Sequence, residues 1–190
     1  MFQTLQQIVP PLTLAKISLE QYHRMVEAGI WDDRQVELLN GIIVEMAPEG
    51  TPHAHRSTEV GEYLMRLLGD RAQVRPAKPI TLPQGSEPEP DLAIVRRLGD
   101  EYLAHHPYPE DIFSVIEYSQ TSIEKDLGIK AEIYAAAEIA EYWVVNLNEN
   151  KLVMFREPID GLYQSRQELA SGQISPVAFA DVAIEVARLL

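Results

Sequence analysis

The sequence contains no cysteine. That removes a disulfide framework and any thiolate metal site, and makes the reducing cytoplasm the expected compartment. No run is long or apolar enough to span a bilayer, and the opening MFQTLQQIVPPLTL lacks the basic start of a signal peptide, so no membrane association is expected. Basic residues are scarce. Sixteen Lys and Arg face 29 Asp and Glu, a formal net charge of −13. A protein that grips nucleic acid through a broad basic surface is thereby disfavoured, because such binding neutralises phosphates. A small cleft in which bound cations supply the positive charge stays open. There is no P-loop, no GxGxxG, no HExxH and no GxSxG. Internal repeats, low-complexity tracts and linkers long enough to divide the chain are also missing.

What is present suits one soluble domain: 190 residues, 46% of them hydrophobic, enough to bury a core. Residues 1–15 read as an N-terminal arm passing through Pro10-Pro11, and 16–190 as a single domain. Ser18 predicts a helix start and Gly29 its stop. In VELLNGIIVEM the Asn40-Gly41 pair between two apolar runs predicts a hairpin. APEGTPHAH reads as a loop. From Arg56 to Leu68, Val60, Leu64, Leu67 and Leu68 recur at helical spacing. Strands are expected in AQVRPAKPI, DLAIV, FSVIEYS, EYWVVNL and KLVMFR, a long helix from about Ser122 to Ala137, an edge strand in GLYQSRQEL and a short final helix in VAIEVARLL. Strands between two main helices give an α/β (α+β mixed) class with one mixed sheet.

The chemistry-bearing candidates are lone acids at strand positions, a lysine on a helix and a histidine pair. Asp91 follows Pro90 at the mouth of the apolar LAIV strand, where a solvated strand-end carboxylate is the bland alternative. In FSVIEYS, alternation puts Phe113, Val115 and Glu117 on one face and Ile116 and Tyr118 on the other. A carboxylate inside such a strand is costly unless paired or metal-bound. In IEKDLGIKAEIYAAA, Ile123, Leu127, Ile129, Ile133 and Tyr134 form one arc at helical spacing, and Asp126 and Lys130 fall inside it. These two make either a buried i,i+4 ion pair or an ammonium reaching toward Glu117 and Asp91. Glu37, His53 and His55 are weaker candidates, and His53 reads best as a surface loop residue. Should Asp91, Glu117 and Lys130 converge, two hard oxygen ligands suit Mg²⁺, and a neighbouring lysine fits phosphodiester hydrolysis better than glycoside hydrolysis.

At this point the residues form a pattern. SEPEPDLAIV, followed by HPYPEDIFSVIEYSQTSIEKDLGIKAEIYAAAEIAEYWVVNL, resembles the Uma2 family of restriction-endonuclease-like proteins, in the PD-(D/E)xK nuclease superfamily. RQVELLNGIIVEMAPEGTPHAH is similar to that family's first block and KLVMFREPIDGLYQ to the strand after its core, so the resemblance spans roughly residues 15 to 185. It implies a restriction-endonuclease-like fold, a central mixed sheet flanked by helices. By resemblance, Asp91 is the PD aspartate, Glu117 the second acid and Lys130 the lysine, here displaced from the strand position occupied by Ser119. Asp126 and Tyr134 match the lysine's neighbours in a D-x3-K-x3-Y string, and Glu37 and His55 match the acid and histidine of the first block. Glu138 stands where a glycine is common. The implied activity is a Mg²⁺-dependent DNA endonuclease, with Mn²⁺ able to substitute, acting as a homodimer. Asp91, Glu117 and the Tyr118 backbone carbonyl would hold the metal, Lys130 would position water, Asp126 would orient Lys130, and His55 or Glu37 would hold a second metal or a phosphate. The alternatives are a non-catalytic interaction module and a metal-dependent hydrolase of small phosphoesters.

Overall fold

In the computed structural model, which describes residues 14–190, a six-stranded mixed sheet is packed by helices on both faces. Residues 1–13, most of the arm expected over 1–15, lie outside the described residues. The elements in chain order are α1 (Leu19–Glu27), β1 (Val36–Leu39), β2 (Ile42–Glu45), α2 (Thr51–Leu68), β3 (Gln73–Pro76), β4 (Leu92–Val95), β5 (Ile112–Ser119), α3 (Ile123–Lys125), a π turn over Asp126–Lys130, α4 (Ala131–Ala136), β6 (Glu141–Asn146), β7 (Lys151–Ile159), β8 (Leu162–Leu169), β9 (Gln173–Ile174) and β10 (Ile184–Glu185). The main sheet runs β3-β4-β5-β6-β7-β8. All its pairings are antiparallel except β5 with β6, which are parallel and joined by the α3–π–α4 crossover. The α/β class and the restriction-endonuclease-like arrangement expected from the sequence are therefore present.

Composition explains which strands are central. Every residue of β6 is buried, and so is every residue of β5 except Phe113, as runs with no polar alternation require. On one face α2 lays Val60, Leu64 and Leu68 on Leu92, Ile116, Trp143 and Val145. Gly61 lets the helix approach closely: a Cβ there would meet Leu92 Cδ2 at 3.2 Å. On the other face Ala131, Ile133 and Tyr134 of the crossover cover Val115, Tyr142, Val144 and Val153. Burying each such large side chain contributes roughly 1.5–3 kcal/mol. The β1–β2 hairpin turns at Asn40 (φ 50°) and Gly41 (φ 78°), the two positive values that a tight hairpin turn demands. It hangs outside the main sheet, tied by Leu38 and Glu87 through two backbone hydrogen bonds.

Several sequence expectations are corrected. Helix α2 begins at Thr51, so the loop expected in APEGTPHAH ends five residues early. The strand expected in AQVRPAKPI stops at Pro76, because Ala77 turns to φ 45°. The final helix is absent: Ile184–Glu185 pair with β9, and only a 3-10 turn follows. A bulge opposite Ile94 and Val95 resets the start of β5, so Phe113 packs with Phe179 on the α2 face, not beside Val115. The long helix is interrupted by the π turn, and Ile129, expected in the apolar arc, is 38% exposed.

Candidate active site

Asp91 immediately precedes β4, and Leu92 pairs with Ile116. Continuing that register by one residue sets Asp91 opposite Glu117, and both acids line one cleft at that end of the sheet. The Tyr118 amide donates to Asp91 Oδ2 at 2.6 Å and fixes that side chain. Glu117 is 4% exposed. Its Oε1 accepts from Lys130 Nζ at 2.8 Å and from the Tyr134 hydroxyl at 3.0 Å. Among the described residues, Glu117 Oε2 and Asp91 Oδ1 accept no hydrogen bond. The two acids open on a cleft of about 470 Å³ that Glu49, Gly50, His53, Glu89, Lys125 and Lys130 also line.

Lys130 has two carboxylate partners for its three N–H donors. Its ammonium also lies 3.1 Å from Glu37 Oε2, while Lys125 holds Glu37 Oε1 at 2.7 Å. Glu37 is thus an enclosed carboxylate bridging two lysines. The π turn makes this possible. Residues five apart on an α-helix point about 140° apart, whereas the wider π turn brings i and i+5 nearly into line. The i,i+4 pair with Asp126 does not form. Asp126 instead accepts from Ser122 Oγ at 2.5 Å, and its carbonyl accepts from the Tyr142 hydroxyl at 3.0 Å. Asp126 therefore acts on Lys130 through its field, not through contact.

Four carboxylates and two ammonium groups in a confined space set the local acidity. Burial, opposed by Lys130 and reinforced by Asp91, Asp126 and Glu37, pushes Glu117 up to about 8. Burial would also raise Glu37, but Lys130 and Lys125 outweigh it and hold that carboxyl below its ordinary value. Burial would lower Lys130; Glu117, Glu37 and Asp126 overcome it and keep the ammonium firmly protonated.

His53 was expected in a surface loop. It lies in the first turn of α2, half-buried, with Nε2 2.9 Å from Asp91 Oδ2 and Nδ1 3.4 Å from Glu49 Oε2. Burial depresses its basicity, but Asp91, Glu49 and Glu117 outweigh that and raise it. His55 sits two residues on, exposed, and does not line the cleft. The helical stripe could have found this: at about 100° per residue, His53 shares a face with Val60 and Leu64 and His55 points about 160° away. Pro52, a favoured residue at a helix start, marks the boundary. Glu49, Glu89 and Lys125 were also missed as site residues. Lys125 could not have been found from α-helical periodicity.

The α2 N-terminus has no side-chain cap and no acid in its first turn, and it faces the cleft through Gly50 and His53. Its unpaired amides and dipole favour an anion there. A family model described as "Uma2: Putative restriction endonuclease" matches residues 19–187. The chain belongs to the Uma2 family. Among solved structures it is similar to a protein from Anabaena variabilis described as a putative nuclease belonging to DUF820, with a TM-score of 0.71 at 14% identity. That likeness covers 91% of this chain and 97% of the other, and it carries the fold. Comparison with curated proteins gives no match. Uma2 membership and a nuclease-like fold support a nuclease. No helix among the described residues is long and apolar enough to cross a membrane.

The residues present fit a divalent cation. Asp91 and Glu117 each leave one carboxylate oxygen without a donor at the cleft, and hard oxygen donors are the set that Mg²⁺ or Mn²⁺ takes. Tyr118 borders the same space.

Proposed function

We propose that this Uma2 chain is a Mg²⁺-dependent DNA endonuclease, with Mn²⁺ able to substitute, that works as a homodimer. The observation that carries the reading is the meeting of Asp91, Glu117 and Lys130 at one cleft, with the ammonium 2.8 Å from Glu117 and one oxygen of each acid free of donors. Asp91, Glu117 and the Tyr118 carbonyl are the groups that would hold the cation. When bound, it supplies Lewis-acid charge to a phosphate oxygen and acidifies water.

The chain's own residues supply the rest. Lys130, charged and held between Glu117 and Glu37, stands where it can orient a water molecule and offset charge as a phosphorane forms. Glu37 touches no substrate and serves as a positioning residue. The uncapped α2 terminus receives a phosphate oxygen, and Lys125, partly exposed at the cleft, adds a cation beside it. Arg56 near Tyr118 and Lys78 near Glu89 further offset the acidic surroundings, as a nucleic-acid backbone requires of a protein whose net charge is −13.

The test is nicking of supercoiled plasmid with Mg²⁺ or Mn²⁺, comparing the wild type with Lys130→Ala. Nicking by the wild type alone supports the reading; equal nicking by both overturns the assignment of the site. The large negative charge favours one second reading, hydrolysis of small phosphoesters. Turnover of bis(p-nitrophenyl) phosphate without any plasmid nicking would select it.

A further inference from the structure

We infer that Glu49, His53 and Asp91 form a nitrogen-bearing cation site that takes Mn²⁺ or Zn²⁺ in preference to Mg²⁺. The inference deepens the proposed function, since it rests on a divalent cation occupying the Asp91 end of the cleft. One ligand atom from each of the three residues lies within 4.8 Å of the others, a separation that a single ion can span.

A second observation comes from the imidazole itself. His53 is bracketed by two acceptor-only groups, with Nε2 toward Asp91 at 2.9 Å and Nδ1 toward Glu49 at 3.4 Å. Nδ1 is buried and has no hydrogen-bond partner. A neutral imidazole owns one N–H and one lone pair. A protonated ring answers both carboxylates with N–H groups, and a cation that displaces a ring proton takes the freed lone pair together with the same carboxylate oxygens.

The ligands are also held in place. Asp91 is fixed by the Tyr118 amide, and the His53 ring stands edge-on to the Tyr118 ring, with centroids 6.2 Å apart. Such outer contacts set ligand orientation before a metal arrives. One imidazole among carboxylates suits the borderline ions of the first transition row, while Mg²⁺ keeps to oxygen and water. Three protein ligands leave positions for water and for a phosphate oxygen.

The experiment uses the full chain stripped with EDTA. Mn²⁺ binding is followed by electron paramagnetic resonance, with Mg²⁺ as competitor and Zn²⁺ by calorimetry, and pulsed resonance reads nitrogen coupling on bound Mn²⁺. The wild type is expected to bind Mn²⁺ at least about tenfold more tightly than Mg²⁺ and to show directly bound nitrogen. His53→Gln should lose the nitrogen signal and about tenfold or more in Mn²⁺ affinity, the scale of a perturbed ligand shell, with Mg²⁺ affinity changed much less. His55→Gln should keep both. Glu49→Gln, at an exposed position that does not threaten folding, should weaken Mn²⁺ severalfold. Oxygen-only coupling, or Mn²⁺ binding unaltered in both His53→Gln and Glu49→Gln, overturns the inference and leaves the Asp91–Glu117 reading standing. Failure of the wild type to bind any divalent ion overturns both.

Discussion

Glu117→Gln should make the protein more stable at alkaline pH while destroying its function. In the metal-free protein Glu117 titrates near 8 instead of 4.5, chiefly because it is buried and also because other acids surround it. Between those values the folded state holds a proton that the unfolded state has released. Stability is then full below pH 4.5 and falls as pH rises toward 8, at about 1.4 kcal/mol per pH unit and about 5 kcal/mol in all as an upper figure. Oε1 is occupied by Lys130 and Tyr134, so the proton belongs on Oε2, and a glutamine amide reproduces that neutral state. The assay is urea unfolding in EDTA from pH 5.5 to 8.5. The wild type should lose stability steadily across this range. The variant should exceed it by about 1.4 kcal/mol at pH 5.5, one unit above the ordinary value, and by a few kcal/mol at the alkaline end. His53, whose basicity is raised chiefly by Asp91 and Glu49 and in smaller part by Glu117, adds a loss of the same sign above pH 6.5 to both proteins, so the difference between the curves reads Glu117 most directly below pH 6.5. Parallel curves would refute the account of a strained, charge-crowded carboxylate. Added Mn²⁺ should stabilise the wild type more than the variant, since in the wild type a cation also replaces the Glu117 proton.

Three further outcomes are expected. Lys130→Met leaves the buried, charged Glu37 with Lys125 as its one remaining ammonium and should cost about 3 kcal/mol at pH 7, measured by chemical denaturation, as well as abolishing nicking. Glu37→Gln should lower nicking without touching substrate, and Lys130 should then titrate lower by NMR, because one of its two carboxylate partners is gone. Glu138→Gly should stabilise the protein by about 0.5–1 kcal/mol with activity unchanged, since Glu138 sits at φ 59° just past the end of α4; a loss of stability in thermal melts would count against the cap argument.

Much of this was legible in the residues. Asn40-Gly41 announced its hairpin, the buried runs announced β5 and β6, and the acids at 91 and 117 announced themselves by interrupting apolar strands. Glu138 at a helix end is the left-handed residue that a glycine would suit better. Two local events hid the remainder. The bulge near Phe113 breaks the two-residue alternation, and the π turn breaks the 3.6-residue one, so face assignments made by counting failed at Phe113 and at Ile129 while Val115, Ile116, Ile133 and Tyr134 fell where the count put them. Lys125 fell on the solvated side in any count that assumed regular winding. Glu37 is only a weak candidate in the sequence because nothing nearby pairs with it; its lysines are 88 and 93 residues away.

The π turn over Asp126–Lys130 makes this protein unusually tolerant of length at one spot. Excising a single residue between Lys125 and Lys130 would let the segment relax to a regular screw with better backbone geometry. Five π residues turn the chain about as far as four α residues do, so everything downstream of the cut would stay nearly in phase with everything upstream. The two lysines would then stand four positions apart, about 40° from each other and still on the side of Glu37. The surplus residue is a local swelling that the charge centre can absorb.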